Sequence, residues 1–165
     1  MPGAIDHIGI LVEDLDEAVA RWSAATGYTF SPVGRYRTEN YVDSSAPAPH
    51  AHDARFVISR EGTPRIELLE ATGEGTHSIA HLGVHHLALV GNDDLEAVRE
   101  RVSGQGIGIE GENTDAAGNL LLFFTESRDL GAALEFVSSR PGPIVRDDGS
   151  PAALDPATGR PSILA

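Results

Sequence analysis

Four side chains are spaced in a way that could hold a metal ion: His7, Glu67, His86 and Glu135. His7 lies in Asp6-His7-Ile8-Gly9-Ile10-Leu11-Val12, and His86 in a near copy, His85-His86-Leu87-Ala88-Leu89-Val90-Gly91, displaced by 79 positions. The same displacement carries Glu17-Ala18-Val19 onto Glu96-Ala97-Val98 without a gap. Each copy also closes on an apolar run with a glutamate at a matching point, Arg65-Ile66-Glu67-Leu68-Leu69 and Ala133-Leu134-Glu135-Phe136-Val137. From His7 to Glu67 is 60 positions and from His86 to Glu135 is 49; the difference of 11 is the length of the proline-bearing stretch 43–53. A loop inserted in the first copy leaves the two His/Glu pairs equivalent.

Period-2 alternation puts His7, Gly9 and Leu11 on one strand face and Ile8, Ile10 and Val12 on the other. It likewise sets Glu67 with Leu69 against Ile66 with Leu68, and Glu135 against Leu134 and Phe136. If the branched faces pack on helices, the His and Glu faces line a shared hollow. Two carboxylates and two imidazoles in such a hollow repel and lose solvation, and a divalent cation relieves that cost. Nitrogen and oxygen donors without sulfur suit Ni, Co, Zn, Fe or Mn, and four ligands on a six-coordinate ion leave two positions for water or substrate oxygens. Gly9 and Ala88 are small enough to leave room there. The competing reading is a duplicated fold whose inward polar groups only form hydrogen bonds. His50, His52, His77, His81 and His85 are further candidates, but their predicted places in loops or on the opposite strand face mark them as structural or solvent-facing. His50 and His52, on the inserted loop, could close over a ligand.

Positioning these residues requires a strand and helix in each copy. Asp14 is a predicted N-cap with Glu17 three residues on, Leu15, Val19 and Trp22 recur on one face, and Gly27 ends the helix. A strand is expected through Tyr28-Thr29-Phe30, a loop over 43–53, strands at 55–59 and 65–69, and a hairpin turn at Glu61-Gly62-Thr63. The second copy predicts strand 84–90, helix 94–103, and strands near 107–110, 119–124 and 133–138. Gly104-Gln105-Gly106-Ile107-Gly108 follows a helix instead of opening one, so it reads as a helix stop and not as a dinucleotide loop. The organisation is therefore a first βαβββ module over 1–70, a linker over 71–82, a second module over 83–138 and a proline-rich tail over 139–165. That tail is disordered or lies extended over its own surface or a partner, with Ser162-Ile163-Leu164 as an anchor.

The 165 residues suffice for one ordinary core or two half-size modules sharing one. No apolar run is long enough to span a bilayer, and Met1-Pro2-Gly3-Ala4 lacks the features of a secretory signal, so a cytoplasmic protein is expected. With no cysteine, disulfides, thiolate nucleophiles and cysteine-ligated metals are excluded. Twelve basic against 25 acidic residues give a net charge of −13, which disfavours nucleic acid and anionic membranes as partners.

Over residues 5–138 the chain resembles the vicinal oxygen chelate superfamily, which includes glyoxalase I, methylmalonyl-CoA epimerase, extradiol dioxygenases and bleomycin-resistance proteins. The resemblance rests on Asp6-His7-Ile8-Gly9-Ile10 followed by Asp14-Leu15-Asp16-Glu17-Ala18, on Ile66-Glu67-Leu68-Leu69-Glu70, on Gly83-Val84-His85-His86-Leu87-Ala88 and on Gly131-Ala132-Ala133-Leu134-Glu135-Phe136. It implies an α+β fold in which two βαβββ modules form a half-open, eight-stranded barrel-like sheet around a metal held by His7, Glu67, His86 and Glu135. The His, Glu, His, Glu set is that of bacterial glyoxalase I, whereas the epimerase type has Gln where this chain has Glu67. The surroundings of His86 and the approach Arg128-Asp129-Leu130-Gly131-Ala132 look nearer to the epimerases, and no group that clasps glutathione is identified. Either relative implies a divalent-metal-dependent isomerase or lyase that moves a proton next to a carbonyl through a metal-stabilised enediolate. Glu67 or Glu135 is then the base, with Glu39 an outside candidate that reads better as solvated. The substrate would be a small carbonyl compound or acyl thioester and the assembly a homodimer. The alternatives are an Fe(II) extradiol-type dioxygenase and a non-catalytic binder of small molecules or antibiotics.

Overall fold

The computed structural model describes residues 4–73 and 75–164; Met1-Pro2-Gly3, Glu74 of the linker and the terminal Ala165 lie outside them. The first copy runs β1 (His7–Val12), α1 (Leu15–Thr26), β2 (Gly34–Asp43), β3 (Ala46–Ile58) and β4 (Arg65–Glu70). The second runs β5 (Gly83–Asn92), α2 (Leu95–Ser103), β6 (Ile109–Thr114), β7 (Leu120–Thr125), the single turn α3 (Ser127–Leu130) and β8 (Ala133–Ser138). The tail adds β9 (Ile144–Arg146), β10 (Ala153–Leu154) and β11 (Pro161–Ser162).

The helices start where the sequence predicts. The Asp14 carboxylate accepts from Glu17 N at 2.8 Å and the Asp94 carboxylate from Ala97 N at 3.0 Å, each satisfying a donor that the first helical turn leaves unpaired. Gly27, at φ 76°, closes α1 in the left-handed conformation that a side chain would disfavour. The branched faces meet the helices as the alternation requires. Leu15 of α1 packs with Val57 and Leu68, flanked by Ile10, Val12, Trp22 and Ile66. Leu95 and Val102 of α2 pack with Leu120, Phe123 and Phe136.

The eight strands of the two copies curl into one barrel-like sheet in the order β3-β4-β1-β5-β8-β7-β6-β2, with β2 also paired to β3. The copies join along β1 and β5, which run antiparallel. On the far side β2 meets β6 from Tyr41↔Asn113 to Asp43↔Gly111, while β9 takes the same edge of β2 at Gly34–Tyr36. The barrel thus closes within one chain.

Two expectations change. The stretch 43–53 is no loop: β2 and β3 form a hairpin of 10- and 13-residue strands, against 6 and 6 for β6 and β7, and the extra length lies there. Pro47 and Pro49 are tolerated because β4 pairs only with Phe56–Ile58, leaving the start of β3 as an outer edge where a missing N–H costs no ladder bond. Tyr28-Thr29-Phe30 contributes only a bridge from Phe30 to Ser59. Of the courses left open for the tail, it takes the one over its own surface, and Ile163, within the expected anchor, is buried against Leu11, Phe56 and Leu69.

Candidate metal centre

The register of four strands sets the four candidate side chains. Across the seam, His7 stands opposite Ala88 and Gly9 opposite His86, so each histidine faces the small residue of the other copy. β4 runs parallel to β1 with Glu67 opposite Gly9, and β8 runs parallel to β5 with Glu135 opposite Ala88. The repeat in sequence is therefore a repeat in register. Gly9 has a more specific task than leaving room for a substrate. A Cβ there would lie 2.1–2.6 Å from three atoms of the His86 ring, so the missing side chain is the space the imidazole occupies.

The four groups converge in the barrel interior, where His7 is 7%, Glu67 8%, His86 1% and Glu135 7% exposed. The two Nε2 atoms are 3.4 Å apart. His7 Nε2 lies 3.4 Å from both Glu67 Oε2 and Glu135 Oε2; His86 Nε2 lies 3.3 and 3.5 Å from the same oxygens. His7, His86 and Glu135 offer three donor atoms within 4.8 Å of one another. Glu67 stands as near to both imidazoles as Glu135 does. Two nitrogens and two carboxylates in one buried cluster suit a divalent cation of the Ni, Co, Zn, Fe or Mn type.

Hydrogen bonds outside the cluster aim the imidazoles. Asp6 Oδ1 holds His7 Nδ1 at 3.0 Å, leaving Nε2 to the interior. His85 Nε2 meets the Thr76 carbonyl at 2.9 Å, and since a carbonyl only accepts, that nitrogen carries the proton. His85 Nδ1 then accepts from His86 Nδ1–H at 3.0 Å, and the lone pair of His86 Nε2 is left for the centre. Burial opposes a charge on His7, yet the Glu67 carboxylate and the bonds to Asp6 and Glu135 outweigh it and hold the imidazole well above its ordinary pKa. Burial would likewise raise Glu67, but the neighbouring His7 and His86 hold it below the usual carboxylate range. The two carboxylates thus favour positive charge at the centre, which a divalent cation would also supply.

Beyond the four, a cavity of about 280 Å³ opens toward the tail. One wall is aromatic: Tyr36 and Tyr41, which the sequence does not mark as a site, line it together with His52, which it marks as able to close over a ligand, and His77, which it marks as structural or solvent-facing. His52 stacks on Tyr41 at 4.6 Å and packs against His77 at 4.7 Å, and His77 packs against His85 at 4.5 Å. Burial and the neighbouring His50 bring His52 down to about 4; burial and His86 bring His85 down to about 4. Burial, with His85 and His52 beside it, depresses His77 well below its ordinary value. Both phenols are pushed up by burial. This wall is thus uncharged at neutral pH. His77 belongs to the stretch read as a linker, where a lone histidine carries no periodic signal, and His52 to the stretch read as a loop. His50 packs edge-on against Tyr41, and His81 and Glu39 are exposed away from the centre.

A sequence model of the Glyoxalase/Bleomycin resistance protein/Dioxygenase superfamily matches residues 6–123. No curated protein matches the chain. Among solved structures, methylmalonyl-CoA epimerase from Mycobacterium tuberculosis is 21% identical with a TM-score of 0.54, covering 84% of this chain and 89% of that one. A variant methylmalonyl-CoA epimerase from Streptomyces coelicolor, in complex with 2-nitronate-propionyl-CoA, is 21% identical with a TM-score of 0.55, covering 84% of this chain and 98% of that one. A hypothetical protein from Bacillus halodurans C-125 is 20% identical with a TM-score of 0.55, covering 85% and 96%. At such identities these likenesses establish the shared fold. With the model matched over most of its length and the paired βαβββ barrel in place, the chain belongs to the Glyoxalase/Bleomycin resistance protein/Dioxygenase superfamily.

Proposed function

We propose that this protein is a divalent-metal-dependent isomerase or lyase that moves a proton at a carbon next to a carbonyl. The observation that carries this reading is the convergence of the buried His7, Glu67, His86 and Glu135, with nitrogen–oxygen separations of 3.3–3.5 Å. His7, Glu67, His86 and Glu135 would hold the metal. A divalent ion supplies positive charge at the substrate's oxygens, which acidifies the adjacent C–H and favours an enediolate.

Glu67 or Glu135 is the carboxylate that takes that proton and returns it, each standing beside both imidazoles. Acyl-thioester substrates are suggested by the epimerase neighbours, and small carbonyl compounds by the four-donor set. Metal analysis of the purified parent beside His86→Ala and Glu135→Ala is the decisive experiment. About one ion per chain in the parent and loss in both variants is expected; a parent that takes up none of Ni, Co, Zn, Fe or Mn would sink the proposal.

A second reading has one specific support. His7, His86 and Glu135 are two histidines and a carboxylate, the donor set of non-haem iron oxygenases. Oxygen uptake by the Fe(II)-loaded protein with catechol distinguishes it from proton transfer, which is read as deuterium incorporation from heavy water.

A further inference from the structure

The cavity beside the four-donor cluster has a wall that the repeated modules do not supply. After β8 the chain turns back, adds β9 to β2, and is pinned there by Arg35, whose Nε donates to the Asp147 carboxylate at 2.9 Å and to its carbonyl at 3.0 Å. β10 and β11 then pair as a short hairpin, Ala153↔Ser162 and Leu154↔Pro161, which brings Arg160, Ile163 and Leu164 to the cavity. Ile163 is 8% exposed and packs on Leu11, Phe56 and Leu69. Its seat is specific: a Cβ on Gly34 would lie 2.6 Å from Ile163 Cγ2 and 3.2 Å from Phe56 Cε1, so β2 carries glycine where the tail docks.

What remains is about 280 Å³, bounded at one end by the donor cluster and elsewhere mainly by Phe56, Leu69, Leu122, Phe124, Ile144 and Ile163. This lies just under the range of about 300–1,000 Å³ typical of pockets for drug-sized ligands. Residues 153–164 supply part of its boundary through Arg160, Ile163 and Leu164.

We infer that residues 153–164 are the specificity-determining wall of the cup, limiting the size of the aliphatic or aromatic substituent that a carbonyl substrate can carry into it. The identity of the reacting group rests on the proposed function; the size limit does not, and the test separates them. The chain has no cysteine, so Ala54→Cys places a unique thiol on the cavity wall. Its alkylation rates by iodoacetamide and by the bulky fluorescein-5-maleimide are measured on metal-free protein. The comparison covers the otherwise unchanged chain and chains also carrying Ile163→Ala or Gly34→Ala. Near-UV circular dichroism confirms that the variants are folded. The ratio of maleimide to iodoacetamide rates is expected to rise at least tenfold in either point variant. An unchanged ratio in both point variants overturns the inference. Absence of metal uptake with the expected ratios would overturn the proposed function and leave the wall standing.

Discussion

At the scale of single residues, the site depends as much on a missing side chain as on the four present. Gly9→Ala would push a methyl into the His86 ring, and the ring backs onto His85, so it cannot swing away without losing its bond. Overpacking of this kind costs about 1–3 kcal/mol. We expect the variant to fold with a lower urea midpoint and to bind metal at least tenfold more weakly, read by competition with a chromophoric chelator; unchanged metal affinity would refute the role given to Gly9.

His52 makes a prediction about pH. Its folded pKa is about 4 against an ordinary 6.5, so between these values the unfolded chain binds the proton that the folded one refuses. Stability is therefore full above about pH 6.5 and falls as pH drops toward 4. His52→Asn removes that linkage, so the urea midpoint of the variant should fall less between pH 7 and pH 5 than that of the parent, both in chelator. The contribution is on the order of 3 kcal/mol at most, from the size of the shift.

At the scale of elements, the helices hold the outer faces of the strands and touch no ligand. Asp14→Ala and Asp94→Ala each remove one carboxylate that accepts from the first helical turn. Each should cost about 1 kcal/mol by chemical denaturation while leaving metal stoichiometry unchanged, since the register of β1 with β4 and of β5 with β8 is set by the sheet. A cap variant that lost metal in the folded state would mean that the helices position the donors more directly than the strand pairing implies. The tail hairpin is the opposite case, a short element with little structure of its own and a direct share in the cavity.

At the scale of the whole molecule, each copy contributes one histidine and one glutamate, so an ion held by all four ties the copies together across the β1–β5 seam. Binding to the folded state alone stabilises it by about 2.7 kcal/mol at a free metal concentration a hundredfold above Kd. The thermal midpoint should accordingly rise on adding Zn or Ni and return on adding EDTA, and Glu67→Gln should shrink the rise. A midpoint insensitive to both would argue that the cluster is held only by its own hydrogen bonds. No described helix is long and apolar enough to cross a membrane.

The sequence by itself determined what local chemistry and period can carry. Alternation assigned His7, Glu67 and Glu135 to the inner face and Ile10, Leu68 and Phe136 to the helices, because successive side chains of a strand must point to opposite sides. The displacement between copies paired the four donors, and Asp14 and Gly27 marked a helix by the bonds its ends require. Only the tertiary structure decided what depends on contacts between distant segments. Nothing local distinguishes Pro47 and Pro49 in an edge strand from the same prolines in a loop, and which strand edge is left free is a property of the finished sheet. His77 and His52 became part of the cavity wall because separate segments deliver them to Tyr41. The opening residues, Asp6-His7-Ile8-Gly9-Ile10, were legible as half of a repeat. That Gly9 is cut to the shape of His86, and that Ile163 closes the far end of the same cup on Gly34, follows from packing across 77 and 129 positions of chain, which no periodicity records.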